Sequence, residues 1–465
     1  EIWLESPDGE KSPCFVLNRE ETKGGIYHPR SRNMPFYCTR FRVLFRASDV
    51  PPTGYKAFTV AYTQEPQYPY PHEEFDAVRI PFAPLSKDPL SAENEYVGLS
   101  FNTNGTFDLL DKETGRTFGP LNYFLDGGEA GNQQRHYPPE VDKIVTSKTG
   151  TASIARTVNT PLRSSFTVRT CLTVPDVFDW TQNRRGTHEV TMPITSEITL
   201  QKESPVVDIT TTVENSAKDH FLRACFDTGV QAEETHAGAV FDVNDHTTTA
   251  EQVGQYEDDT LKRHYQHLFM DIGDGSSGLA ILNDSLRDYE VLDRENGTIA
   301  LSLLRAFRLR IPCDNRLWME YPGDDSTQAL GTYTFRCGLR PHKGRWNEAG
   351  ITADALAFST PLRLCQIGPQ KGPLPLAKGF LEIAGNNVVL SCVKKAEDRD
   401  TVVVRFYNPG RDASACVLRP AFAFDKAYRI TMEEERLEEL SVAKNTIEMD
   451  IESGRIVTVE LVASR

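Results

Sequence analysis

Chemistry in this chain would have to come from a few clusters. The most suggestive is Leu125-Asp-Gly-Gly-Glu-Ala-Gly-Asn-Gln-Gln-Arg-His-Tyr-Pro-Pro139, which is long, Gly-rich and polar, and ends in Arg135, His136 and Tyr137 before a Pro pair. Carried as a loop by a rigid sheet, such a segment suits ligand contact, although the same composition serves an ordinary surface loop. Arg305 stands in the apolar run Ile299-Ala-Leu-Ser-Leu-Leu-Arg-Ala306. A guanidinium flanked by strand residues needs a carboxylate partner or an aqueous cleft, so a buried ion pair and a site role are both open.

Other chemical signals are weaker. Gly273-Asp-Gly275-Ser-Ser-Gly278 matches GxGxxG, but the dinucleotide motif requires a strand before it and a helix after. The flanks HLFMDI and LAILND both read as strands, so a hairpin loop is expected. His264 and His267 could pair on a helix, yet no further ligand stands at metal spacing. On a strand, residues three apart point to opposite faces. No GxSxG nucleophile elbow and no GxxxxGK[ST] phosphate loop occurs. A glycosidase needs two carboxyl groups roughly 5–10 Å apart, and 66 candidates offer no way to choose between them. Asp258-Asp259 and Asp324-Asp325 read as solvated turns.

Strands must position whatever chemistry there is. At roughly 100–200 residues per domain, 465 residues suggest two to four domains. Hydrophobic residues at 39% and charged residues at 25% argue against disorder, and no apolar run of about 18 residues offers a membrane span. A net charge of −15 disfavours nucleic acid and anionic lipid as partners and leaves sugars open. Nine cysteines without a CxxC read as reduced, mostly buried thiols of a cytoplasmic protein. Val207, Ile209, Thr211 and Val213 alternate with polar residues, as on a half-buried strand. Similar runs cover 41–45, 57–61, 194–200, 279–282, 388–392 and 402–407, with Asn104-Gly105 and Asn296-Gly297 as turns. Only 432–440 (MEEERLEEL) could be a helix, and it could equally be an acidic strand and loop. Pro-rich seams at 81–89 and 367–375 predict three β domains, 1–90, 91–368 and 369–465. The middle one is large enough for two big packed sheets. The fold class expected is all-β, a large two-sheet sandwich with smaller β-sandwich domains at each end. The chain begins EIWLESPDGEK, with neither Met nor an apolar leader, and reads as a piece of something longer.

An ordered set of segments resembles the C-terminal β region of glycoside hydrolase family 38, the α-mannosidases. The set comprises FRASDVPPTGYK (45–56), ENEY (93–96), NGTF (104–107), DKETGR (111–116), the 126–139 loop, VENSAKDH (213–220), LAILND (279–284), LSLLR (301–305), GLRPH (338–342) and VKKAED (393–398). The resemblance implies a galactose-mutarotase-like sandwich in the middle domain. It also implies an upstream barrel that holds a divalent metal, usually zinc, together with the aspartate nucleophile and acid/base carboxylate of a retaining mechanism. This chain itself would bind no metal and supply no catalytic residue. By the resemblance, the 126–139 loop and Arg305 lean toward the sugar. Where many relatives have a tyrosine in a GDEY-like stretch, this chain has Gly131-Asn132-Gln133-Gln134, so Gln134 takes that place. Gln134, Arg135, His136, Tyr137 and Arg305 are then the substrate-binding candidates, using amide, imidazole, phenol and guanidinium groups on hydroxyls.

The expected function is the non-catalytic β portion of a metal-dependent α-mannosidase. Its partners would be an α-mannoside and its own N-terminal barrel, with homo-oligomerisation left open. The alternatives are a free-standing carbohydrate-binding or scaffold protein, and a catalytic sandwich of another sugar-active family, such as a lyase or epimerase.

Overall fold

The computed structural model describes residues 2–26, 34–62, 84–249, 251–252, 260–261, 263–310, 321, 323–368 and 371–464. Period-two patterning becomes strand almost everywhere. Val207–Asn215 buries every second side chain, as its alternation predicts. Two nine-stranded antiparallel sheets form the middle of the molecule. In the first, the strands run Arg263–Tyr265, Asp288–Asp293, Thr298–Arg305, His220–Asp227, Thr117–Gly128, Phe107–Asp111, Val97–Phe101 and Ser91–Glu93, with Val145–Thr146 added beside Thr117–Gly128. In the second, Arg163–Pro175, Glu189–Gln201, Val207–Asn215, Gly331–Lys343 and Ser277–Asn283 make up the centre. Their facing surfaces share one apolar core, with Phe107, Phe166, Ile198, Phe226, Ile281 and Leu301 at its heart. This is the sheet-on-sheet packing expected of the long middle segment.

A short helix, Ile351–Ser359, closes a satellite cluster in which Trp346, Ile351, Ala355 and Phe358 meet Phe269 and Leu282. No helix among the described residues is long and apolar enough to cross a membrane. The N-terminal part contributes the sheet of Ile2–Glu5 with Lys11–Pro13 and Thr59–Tyr62, and a separate ribbon of Phe15–Ile26 with Met34–Leu44. It is tied to the C-terminal part where Tyr55–Lys56 pairs with Ala377–Lys378 and the Thr53 hydroxyl donates to the Leu381 carbonyl at 2.9 Å. That C-terminal part has a three-stranded and a five-stranded sheet around Val404, Phe406, Leu418, Val459 and Leu461.

The ambiguous 432–440 stretch resolves as the acidic strand and loop, with 432–435 as turn and loop and Arg436–Leu440 pairing against Phe424–Ile430. Two sequence expectations change. Of the eight described cysteines only Cys225, Cys337 and Cys416 are buried, whereas Cys171 and Cys365 are exposed, so these thiols are free but not mostly buried. Asp324 and Asp325 are not merely solvated, since they pair with Arg310 at 2.8 Å and Lys218 at 2.7 Å. Asp258-Asp259 lies outside the described residues.

Glu460 shows what braces the C-terminal sheet. Its carboxylate is fully buried on the strand Arg455–Ala463. Burial pushes its pKa up, but Arg436 and Arg399 (each 2.7 Å away) and the Thr401 hydroxyl (2.8 Å) outweigh that and hold it down to about 2. A carboxyl depressed on folding stabilises the protein above its unfolded value of roughly 4.3 and loses that contribution as pH falls toward its folded value. Glu460→Gln is therefore expected to lower the thermal midpoint at pH 7 by a few degrees. It should also flatten the loss of stability between about pH 5 and pH 2. Thermal melts by circular dichroism across that range check both, and an unchanged midpoint at pH 7 would mean that the cluster contributes nothing.

Candidate functional site

Three neighbouring strands of the first sheet end level with one another. Gly128 is in register with His220, and Phe221 with Arg305. The chain segment flagged for ligand contact thus leaves the sheet beside the strand end that carries Arg305. Residues 125–128 belong to the strand Thr117–Gly128, so the loop proper starts at Glu129.

Glu129 organises that loop. Its side chain is fully buried. One carboxylate oxygen accepts the backbone N–H groups of Gly131 (2.7 Å) and Tyr137 (3.2 Å). The other accepts from His136 Nδ1 (2.7 Å) and Arg305 Nη1 (3.4 Å). A Cβ at position 131 would lie 2.1 Å from the Arg135 carbonyl oxygen and 2.7 Å from Glu129 Oε1, so only glycine lets the backbone fold over the carboxylate. Buried Asn132 accepts the N–H groups of Gln134 and Arg135 at 2.9 and 3.1 Å, forming a side-chain-closed turn. The Glu129 backbone N–H donates to Asp219 O at 2.9 Å and that of Ala130 to Tyr137 O at 2.8 Å, which closes the base of the loop.

Arg305 is held from two sides. Nη2 donates to the Gln133 carbonyl at 3.0 Å while Nη1 faces Glu129. Its guanidinium stacks 5.3 Å from the Phe307 ring and is 16% exposed. Burial, offset in part by Glu129, pulls its pKa below the ordinary arginine value, and it stays charged at neutral pH. Arg305 is thus ion-paired, and it still reaches the surface.

A second buried carboxylate supports the rim. Asp126 accepts from Arg185 Nη2 and His220 Nδ1, each at 2.6 Å. Beside the loop, the Phe221 ring takes the His136 ring at 5.0 Å, the Arg223 guanidinium at 4.9 Å and the Arg263 guanidinium at 5.6 Å. Arg223 pairs with Glu290 at 3.1 Å and Arg263 with Asp288 at 3.6 Å. Such alternating donors and acceptors suit a hydroxyl-rich ligand.

The structure brings Arg305 and His136 together on Glu129. Arg135 and Tyr137 meet each other instead, with Nη1 3.5 Å from the phenol oxygen, and the Gln134 side chain is exposed. Glu129, Phe221, Arg223 and Arg263 escaped sequence reasoning. Glu129 offered no more there than its place in a Gly-rich segment that also holds Asp126. Gly273–Gly278 is a hairpin turn in which Asp274 accepts the N–H groups of Ser276 and Ser277. His264 stacks on His246, with ring centroids 4.3 Å apart, and burial beside that second imidazole lowers its pKa to about 4. A cleft of about 660 Å³ is lined by other residues, among them His236, Asp271, Trp346 and Arg411, and takes in neither the loop nor Arg305. Among the described residues no three His, Cys, Asp or Glu side chains are placed to hold a metal ion.

Comparison with known proteins gives this geometry its context. Residues 92–310 match the profile of the glycosyl hydrolases family 38 C-terminal domain, and residues 387–459 that of the glycosyl hydrolases family 38 C-terminal beta sandwich domain. A Halalkalibacterium halodurans protein, provisionally named a mannosylglycerate hydrolase, is 24% identical over 381 residues, 79% of this chain and 41% of that protein. Human alpha-mannosidase 2C1 is 31% identical over 146 residues, 31% of this chain and 12% of that protein. The crystal structure of an alpha-mannosidase from Enterococcus faecalis V583 shares the fold, with a TM-score of 0.84 at 22% identity over 99% of this chain and 51% of that one. The chain spans about half the length of that structure and less of the other two relatives. With two family profiles matched in order along one all-β architecture, the chain belongs to glycosyl hydrolase family 38, as its C-terminal β region.

Proposed function

We propose that this chain is the substrate-shaping β portion of a cytoplasmic, retaining α-mannosidase, organised as β units 1–90, 91–368 and 369–465. The loop Asp126–Pro139 and Arg305 form one wall of its sugar pocket. The observation that carries this reading is the convergence of Arg305 and His136 on buried Glu129 at a strand-end rim. The mannosyl group common to the relatives' names sets the substrate class, and the free thiols of all eight described cysteines support the compartment.

In this reading the nucleophile, the acid/base carboxylate and the divalent metal, zinc in most of the family, belong to a barrel within the additional length that the relatives possess. Every step assigned to this chain is carried by its own side chains. Arg305, fixed through two of its nitrogens, presents donors to hydroxyl oxygens. His136 is oriented through Nδ1, which leaves Nε2 to face the sugar. Gln134, Arg135 and Tyr137 extend from the more exposed part of the loop and adapt to the ring substituents. Holding these groups in place before the sugar arrives lowers the entropic cost of reaching a reactive pose.

The test uses the full natural chain with an aryl α-mannoside. Arg305→Ala is expected to lower kcat/KM by about 100-fold, in line with losing a positioning contact, while the thermal midpoint moves by only a few degrees. Residues 1–465 alone are expected to show no turnover. Turnover by 1–465, or an Arg305→Ala enzyme that loses stability but keeps its activity per folded molecule, would contradict the assignment. The Arg135→Ala/His136→Ala double variant is expected to raise KM by about tenfold, the size of one or two lost hydrogen bonds. Steady-state kinetics check this, and an unchanged KM would make that part of the loop ordinary surface.

A further inference from the structure

The strands Phe15–Ile26 and Met34–Leu44 form a ribbon whose only sheet partners among the described residues are each other. An isolated two-stranded hairpin is marginally stable in water. This one buries none of its described side chains within the chain: Tyr37 is 83% exposed, Met34 67%, Phe36 45% and Phe41 43%. Cross-strand register sets Lys23 opposite Tyr37 and Arg19 opposite Phe41, with the cations 5.2 and 5.9 Å from the ring centroids. The other face carries Phe36 and Arg40, the latter paired with Glu20 at 2.7 Å. Both faces are therefore aromatic and cationic, and both are open. Large exposed apolar side chains held on a regular scaffold mark a docking surface.

Charge identifies the occupant. The two strands, 15–26 and 34–44, contain four basic side chains (Arg19, Lys23, Arg40 and Arg42) and two acidic ones (Glu20 and Glu21), a net charge of +2. The whole chain carries −15, so everything outside these two strands carries −17. A basic ribbon on a strongly acidic body complements a second copy of that body. We propose that the ribbon is an exchange arm that docks across the acidic surface of a second copy of this chain, each copy receiving the other's arm about a twofold axis.

The area is adequate. Twelve residues at roughly 3.3 Å each make an arm about 40 Å long, and two strands make it about 10 Å wide, so one face covers about 400 Å². In a twofold arrangement each copy buries its own arm and an equal acceptor area, about 800 Å² per copy, which is the size of a standard stable interface. The charge complementarity makes association weaken with salt.

Sedimentation velocity of the full natural chain over a range of concentrations, at about 50 and about 500 mM salt, tests this without reading hydrolysis, so its outcome is independent of the mannosidase assignment. The expected result is a dimer whose Kd rises at the higher salt. The Arg40→Glu/Arg42→Glu variant should weaken it at least tenfold, and replacement of residues 17–42 by a Gly-Ser-Gly turn should leave monomer, both retaining a cooperative thermal transition. A protein that is monomeric at all concentrations, or one that dimerises equally tightly without the ribbon, would overturn the proposal.

Discussion

A carboxylate withdrawn from water must be met by donors, and the candidate site depends on how Glu129 meets that demand. Two loop amides, one imidazole and one guanidinium converge on it from residues as distant in sequence as 131 and 305. The Gly-rich segment, which by composition could wander, is instead folded around a buried charge. The same charge orients Arg305, the strand-end cation that would otherwise face a partly apolar environment without a counter-ion.

The sandwich serves this arrangement. A central sheet packed against a second one gives strand ends that cannot shift without disturbing the shared core. Thr117–Gly128, His220–Asp227 and Thr298–Arg305 end at one rim, so the loop, Phe221 and Arg305 inherit their relative positions from backbone register. Asp126, held by Arg185 and His220, supports the same rim with a second buried charge. The result is one wall, rigid and rich in donors.

Much of the fold was legible because alternation on a half-buried strand is a local signal. Val207–Asn215 and Val402–Asn408 could be read directly, as could the Asn-Gly turns. The 432–440 stretch was not, because glutamates on an exposed edge strand and on a helix look alike, and only pairing with Phe424–Ile430 decides between them. The loop and Arg305 were visible through composition and an out-of-place charge. Glu129 was not, since nothing local shows that a loop carboxylate is buried. Phe221, Arg223 and Arg263 were invisible because they gather through register between strands far apart in the chain.

The central claim is that the Glu129 charge shapes the sugar-facing wall. Glu129→Gln in the full natural chain tests it most directly, because the amide keeps the size but cannot accept from His136 and Arg305 as a carboxylate does. The account predicts that kcat/KM on an aryl α-mannoside falls at least tenfold while the thermal midpoint stays within a few degrees of wild type. Wild-type kcat/KM in the variant would contradict it.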